Sequence, residues 1–332
     1  MERNANTRKV TLAPRLRAAR PAAIETVSSD YTRADRLAAW KARWGINRMA
    51  YRVKPGLYAL GSPAADSPVF ATANYKLSFD ALRTSLKGLN AWLLVLDTKG
   101  INVWCAAGKG SFGTKELARV IAETGLEGRV SHRTIILPQL GAPGVSAHKV
   151  KASTGFSVAY GPVRAGDLPE YLRLGRATPE MRRVRFDFAD RMILAPIQLV
   201  HFGRYLLPAA GLLLLLGYRA DAAYTTGALL AGGALVPALL PWLPGRSFAV
   251  KSAAAGLLVT ALIALAHDQS APQLAARVLI YSAAASFIGL DFTGASTYTS
   301  LSGVKKEMRL AIPAHALAAA AGLVMLAAGR FL

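Results

Sequence analysis

AWLLVLDTKGINVWCAAGK, residues 91–109, decides the fold of the first half of this chain. Its first six residues, Ala91–Leu96, form an unbroken apolar run, the mark of a strand buried on both faces of a parallel sheet. After a short polar loop comes Asn102, then Val-Trp-Cys, then small Ala-Ala-Gly and a Lys, a pattern that starts a tight helix. The alternation continues outward. Pro68–Thr72 (PVFAT) reads as a strand and Phe79–Gly88 as a helix with Ser78 as its N-cap. Thr114–Thr124 reads as an amphipathic helix ended by Gly125. Arg133–Leu137 and Phe156–Tyr160 read as two more short strands. Strands alternating with helices predict an α/β domain with a Rossmann-like parallel sheet. Such sheets bind ligands beyond the carboxyl ends of their strands. Those ends are Thr72–Tyr75, Ile101–Lys109, Pro138–Lys149 and Gly161–Gly166.

The second half is of another kind. Five apolar stretches, about 199–217, 222–243, 248–266, 273–292 and 310–329, are each long enough to cross a hydrocarbon core of ~30 Å as a helix. The expected organisation is a basic segment over 1–55, an α/β domain over 56–178 and an all-α transmembrane bundle over 179–332. The chain has 40 basic and 19 acidic residues, a formal charge of +21. That balance suits an anionic membrane surface, and no nucleic-acid-binding motif competes for it. Arg173, Arg176, Arg182, Arg183, Arg185 and Arg191 precede the first stretch. Arg246 and Lys251 border the second loop, and Lys305, Lys306 and Arg309 occupy the fourth. The positive residues therefore fall on the side of the N-terminal domain. MERNANTRKV is basic, with no apolar h-region of sufficient length after it. The expected location is a multi-pass protein of the cell inner membrane with its N-terminal domain in the cytoplasm. Asp291 is an ionisable residue near membrane depth, either functional or solvated at the end of the fourth span.

Cys105 is the sole cysteine. A chain with one Cys forms no internal disulfide, no CxxC pair and no iron–sulfur cluster of its own. Gly108–Gly113 (GKGSFG) fits GxGxxG, but Arg133 stands in the neighbourhood where a dinucleotide site needs an acid. It is no P-loop either, because Val103 and Gly110 occupy positions that need Gly and Ser or Thr. A hydrolase elbow GxSxG is absent. His132, His148 and His201 are scattered, so a four-ligand zinc site is disfavoured. Cys105 itself has two readings, a small inert hydrophobe or a metal ligand. A helix N-terminus and Lys109 place positive potential beside the sulfur. Small Ala106, Ala107 and Gly108 let a flat macrocycle come close, and Trp104 packs beside it or into the core.

INVWCAAGK resembles the cap-helix motif, Asn-(Val/Ile)-Trp-Cys-Ala-(Ala/Gly)-Gly-Lys, of the membrane-bound corrinoid protein of microbial mercury methylation. VFATANYKLSFDALR, QLGAPGVSAHKVKASTGFSVAYGPVRAGDLPEYL and FTGASTYTSLSGVKKEMR are similar to the same family. They are also similar to its relative, the large subunit of the corrinoid iron–sulfur protein. The resemblance covers roughly residues 56–330 and implies a Rossmann-like corrinoid-binding domain followed by about five spans. It implies a cobalamin or related corrinoid as cofactor, with Cys105 as lower axial ligand of its cobalt. Asn102, Val103, Trp104, Ala106, Ala107, Gly108 and Lys109 would shape the cap helix, with Thr72 near that face. Gln139, Leu140, Gly141, Gly144, Gly161, Pro162 and Val163 would line the pocket. The implied activity is that of a methyltransferase, moving a methyl group from methyl-cobalt(III) to inorganic Hg(II). The implied partners are a ferredoxin-like iron–sulfur reductant and a methyl donor protein or methylated folate. The cluster-holding cysteines of the corrinoid iron–sulfur protein are missing here. So is the DxHxxG pattern of His-ligated cobalamin proteins, since Ser146 stands where the Asp would precede His148. Two alternatives stay open: a membrane methyl carrier for another acceptor, and a membrane anchor or transporter with an inert Cys105.

Overall fold

The computed structural model describes residues 24–295 and 301–329. In chain order the elements are β1 (Glu25–Val27), α1 (Arg33–Arg43), β2 (Gly56–Leu60), β3 (Val69–Ala73), α2 (Lys76–Ser85), β4 (Ala91–Leu96), α3 (Val103–Lys109), α4 (Thr114–Thr124), β5 (Thr134–Leu137), α5 (Ala147–Thr154), β6 (Ser157–Tyr160) and α6 (Leu168–Leu174). The helices α7 (Phe188–Met192), α8 (Ala195–Leu215), α9 (Arg219–Leu230), α10 (Val236–Leu239), α11 (Phe248–Ala264), α12 (Ala271–Asp291) and α13 (Leu301–Ala328) follow. Two compact units result. Among the described residues, one holds 24–32 and 49–183, and the other holds 33–48 and everything from 184 onward. The segment expected over 1–55 is thus divided, and α1 belongs with the second unit. Part of FTGASTYTS lies outside the described residues.

The first unit is built on a six-stranded sheet in the order β1-β2-β4-β3-β5-β6. The run from β4 through β3 and β5 to β6 is parallel, as the sequence predicts. The sheet as a whole is mixed, which corrects the expectation of an all-parallel one. β2 is antiparallel to β4, with Tyr58 opposite Leu93, and β1 runs parallel to β2. GLYAL at 56–60 opens on Gly and has no β-branched residue, so little in it announces a strand. AWLLVL is continuous because it feeds two cores at once. Trp92, Leu94 and Leu96 pack with Ala106, Phe112, Leu117 and Phe156 on the face of α3, α4 and α5. Ala91, Leu93 and Val95 pack with Phe79, Leu86 and Tyr171 on the face of α2 and α6. α2 starts three residues before the expected Phe79 and has Tyr75, not Ser78, at its N-cap position. Its first N–H, that of Lys76, donates to Tyr51 O at 3.1 Å. A tertiary carbonyl thus satisfies a donor that a side-chain cap would otherwise have to meet.

Among the described residues of the second unit, four helical segments are long and apolar enough to cross a membrane: Phe188–Leu215, Arg219–Leu239, Ala271–Asp291 and Ser302–Ala328. The sequence predicts five. The stretch at 248–266 forms an apolar helix of 17 residues, α11. Its first turn carries Lys251, whose Nζ donates to Leu240 O at 2.9 Å and to Leu243 O. Arg191 does the same work nearby. Its guanidinium donates to Phe186 O at 3.0 Å, Pro237 O at 2.8 Å and Ala238 O at 3.3 Å. Two buried cations therefore meet carbonyls at and beyond the C-terminal end of α10, where the helix dipole is negative. A π-helical turn, Ala231–Leu235, joins α9 to α10. It lets Gly232 pass so close to α12 that a β-carbon there would meet Ala285 O and Ile288 Cβ at 2.6 Å. Leu212, Leu215, Leu265, Leu317 and Val324 point outward and are all more than half exposed. A water-soluble bundle buries such side chains. Asp291 ends α12, exposed. Buried Gln198 meets its Oδ2 at 3.0 Å and Phe292 N at 3.1 Å with its amide so oriented. This is the geometry of a held helix end.

Candidate functional site

The site is assembled at the carboxyl edge of the parallel strands. β4 ends at Leu96, and the next four residues turn back sharply through Lys99 and Gly100, both at positive φ (60° and 73°). A non-glycine residue there is strained unless its neighbours fix it. Asn74 does so from the end of β3. It is 2 % exposed. Its Oδ1 accepts from Thr98 N at 3.1 Å, Thr98 Oγ1 at 2.8 Å and Gly100 N at 3.0 Å. Its Nδ2 donates to Asp97 Oδ1 at 3.1 Å. Glu116 of α4 holds the other side, accepting from Asp97 N at 2.8 Å. The hydrogen-bonded Lys99 ammonium keeps the Asp97 carboxyl below its usual range.

This clamped loop delivers α3. Asn102 is its N-cap, extended at φ −63°, ψ 161°, and Asn102 Oδ1 accepts from Cys105 N at 2.9 Å. Val103, Ala106 and Ala107 are buried. Trp104, Gly108 and Lys109 are exposed and Cys105 is partly so. The sulfur thus stands in the first turn of a short helix, on its outward side, beside a residue with no side chain. Nothing lies within 4 Å of where a β-carbon on Gly108 would be. Gly110, at φ 82°, ends α3, and Gly113 is the N-cap position of α4. The GKGSFG glycines therefore serve a helix-to-helix turn.

The second loop packs beneath the first. A short 3-10 turn, Gln139–Gly141, lies against α3. Gly144 approaches so closely that a β-carbon would meet Phe112 O at 2.1 Å and Ala107 Cα at 3.0 Å. Gly141 has the Phe112 ring in the same relation, at 2.5 Å. Leu140 packs against the core on the α3 side. The third loop joins through Gln139 N, which donates to Pro162 O at 3.3 Å, and Gly161 N, which donates to Leu137 O at 2.8 Å. Val163 N donates to Met181 O at 2.8 Å, and Arg182 Nη1 donates to Gln139 Oε1 at 2.8 Å.

The structure thus brings Asn102–Lys109, Gln139–Gly144 and Gly161–Val163 to one edge. Thr72 is placed differently. It is buried within β3, and the period-two alternation sets it with Phe70 on the α2 and α6 face, away from α3. His132 Nε2 lies 2.9 Å from Ser67 O, and His148 Nδ1 lies 3.1 Å from Ser146 Oγ. Sequence reading missed Asn74, Thr98, Glu116 and Arg182. The available signal for Asn74 was a lone amide directly after an apolar strand.

Among the described residues no three His, Cys, Asp or Glu side chains gather to hold a metal ion. The donor set at α3 is one soft thiol. One donor suits an axial ligand to a metal already held in a macrocycle and is too few for a metal site made by protein alone. The open flank at Gly108 and the indole of Trp104 suit a flat, partly apolar group. The residues present therefore fit a corrinoid.

Residues 45–172 match the family model of the CO dehydrogenase/acetyl-CoA synthase delta subunit (CdhD). The chain is also 35% identical over 127 residues to the acetyl-CoA decarbonylase/synthase complex subunit gamma of Archaeoglobus fulgidus, and equally so to that of Methanopyrus kandleri. The aligned part is 38% of this chain and 27% of each relative. The gamma subunit of Methanocaldococcus jannaschii is 34% identical over 128 residues. The chain spans about a quarter of the length of the curated relatives it matches. The family match runs from before β2 to α6 and stops ahead of the first apolar helix.

Proposed function

We propose that this chain is a membrane-anchored, corrinoid-dependent methyltransferase that passes a methyl group to inorganic Hg(II). The observation that carries the reading is Cys105, the only thiol, held in the first turn of α3 at the carboxyl edge of the sheet. Similarity to subunits of an acetyl-CoA decarbonylase/synthase complex supports a methyl-transfer role. The cap-helix motif and the fused apolar helices support the choice of mercury as acceptor. A ferredoxin-like iron–sulfur protein is the proposed reductant, because this chain lacks the cysteines for a cluster. A methyl donor protein or methylated folate is the proposed source of the methyl group.

When bound, the corrinoid supplies a cobalt that takes up and releases a methyl group; the protein supplies ligand, shape and access. Cys105 Sγ would be the soft, electron-rich protein donor to that cobalt. Asn102 fixes the turn that presents it, and the Asn74 clamp fixes the loop that presents Asn102. The exposed Trp104, Gly108 and Lys109 would offer the surface for the ring. Gln139–Gly144 and Gly161–Val163 hold the rim. A soft thiol donor to the cobalt would favour transfer to a soft acceptor such as Hg(II). The α/β unit is proposed to lie on the cytoplasmic side of the inner membrane, the side richest in Arg and Lys.

The test is the visible spectrum and cobalt content of anaerobically purified chain, wild type beside Cys105→Ala. The expected result is a near-stoichiometric corrinoid whose spectrum changes in the variant, with mercury methylation lost and the fold kept. Undiminished methylation by Cys105→Ala would overturn the ligation.

A further inference from the structure

α1 is set apart by sequence from the apolar helices yet belongs to their unit. It buries only a small-residue face, Ala39 and Ala42, both 1 % exposed. Just beyond its end, Gly45 comes against the first turn of α8, where a β-carbon would lie 3.9 Å from Ile197 Cγ1. Arg48 Nη1 donates to Ala42 O at 3.4 Å and closes the end of the helix. α1 is therefore seated at the N-terminal end of the first apolar segment.

The face it turns outward is neither a polar surface nor a core. Leu37 and Trp40 are half exposed, and Trp44, in line with them, packs its ring 5.4 Å from that of Trp40. The spacing of three and four residues sets the three on one stripe. Arg33, Arg36, Lys41 and Arg43 flank it, and none of the four forms an ion pair among the described residues. Ile46 just beyond α1, and Phe188 and Ile193 just before α8, are also exposed. Tryptophan framed by arginine and lysine, beside the end of a spanning helix, is the composition of a helix lying in the headgroup layer. A water-facing helix has no use for Leu37 and Trp40, and a buried one has no use for four unpaired cations.

We infer that α1 is an interfacial helix: its Leu37–Trp40–Trp44 stripe enters the headgroup region of the leaflet and its cations engage anionic phospholipid. The inference rests on the membrane reading of α8–α13. In that frame the bilayer surface is the partner that matches both the charge and the aromatic residues.

The test uses the full chain in lipid nanodiscs made with chain-brominated phosphatidylcholine, with or without phosphatidylglycerol. Co-elution with the discs reports the spans, and bromine quenching of tryptophan, in a Trp242→Phe background that removes the exposed indole just after α10, reports α1. Trp40→Phe with Trp44→Phe is expected to remove most of the quenched emission. Arg33→Gln, Arg36→Gln and Lys41→Gln together are expected to lower quenching about twofold in the anionic discs only. Quenching unchanged by the double tryptophan substitution, in protein that co-elutes, overturns the assignment of α1. Failure to co-elute overturns the membrane reading itself. Equal quenching with and without phosphatidylglycerol overturns the anionic-lipid part.

Discussion

Asn74 illustrates how one buried amide can position a site it does not touch. Removing it strands the N–H groups of Thr98 and Gly100 in a buried loop. Each unmet donor costs about 1–3 kcal/mol. Asn74→Ala is therefore expected to destabilise the chain by roughly 2–5 kcal/mol. Thermal unfolding checks the magnitude, and faster amide exchange over 97–102 checks the place. A cost under about 1 kcal/mol would argue against the clamp. Cys105 was legible at once, because a lone thiol among small residues has few readings. Asn74 was not, because an amide acts through partners 24 and 26 positions away that only the fold brings near. Thr72 shows the reverse failure: its place in the strand was readable to within one residue, and one residue decides which face it joins.

At the scale of elements, α3 is seven residues long and cannot stand on propensity alone. Its Asn102 cap, its Gly110 stop and the close seat at Gly144 hold it. Asn102→Ala should cost about 1 kcal/mol, and Asn102→Ser or Asp much less, read as unfolding free energy and as amide protection at Cys105. A cap that made no difference would leave Gly144 and the core to hold the turn. The strand at 91–96 was legible because burial on both faces writes itself as an apolar run, and those at 134–137 and 157–160 because they are short runs of β-branched, apolar and aromatic residues. β1 and β2 were not: β1 is a three-residue edge strand, β2 lies between β1 and β4, and the direction of both is set by pairing rather than by pattern. The start of α2 escaped for a similar reason, since its cap is a carbonyl from another segment.

In the molecule as a whole, hydropathy points to an α/β unit and an apolar helical one, but gives no sign that α1 belongs with the helical side, where the structure has it. Hydropathy also gave one span more than helix length supports, because Lys251 belongs to an anchoring turn rather than to a lipid-facing run. Arg191 ties the segment ahead of α8 to the end of α10. Arg191→Met should lower stability in detergent by roughly 2–4 kcal/mol, since buried carbonyls at Phe186, Pro237 and Ala238 lose a charged donor together. An unchanged melting temperature would show that water replaces the guanidinium. The single sulfhydryl has a practical consequence as well. Any thiol-selective reagent has one address in this polypeptide, partly open to solvent. Its rate of capture is a direct gauge of whether that atom is bare or engaged, with no labelled mutant and no competing background.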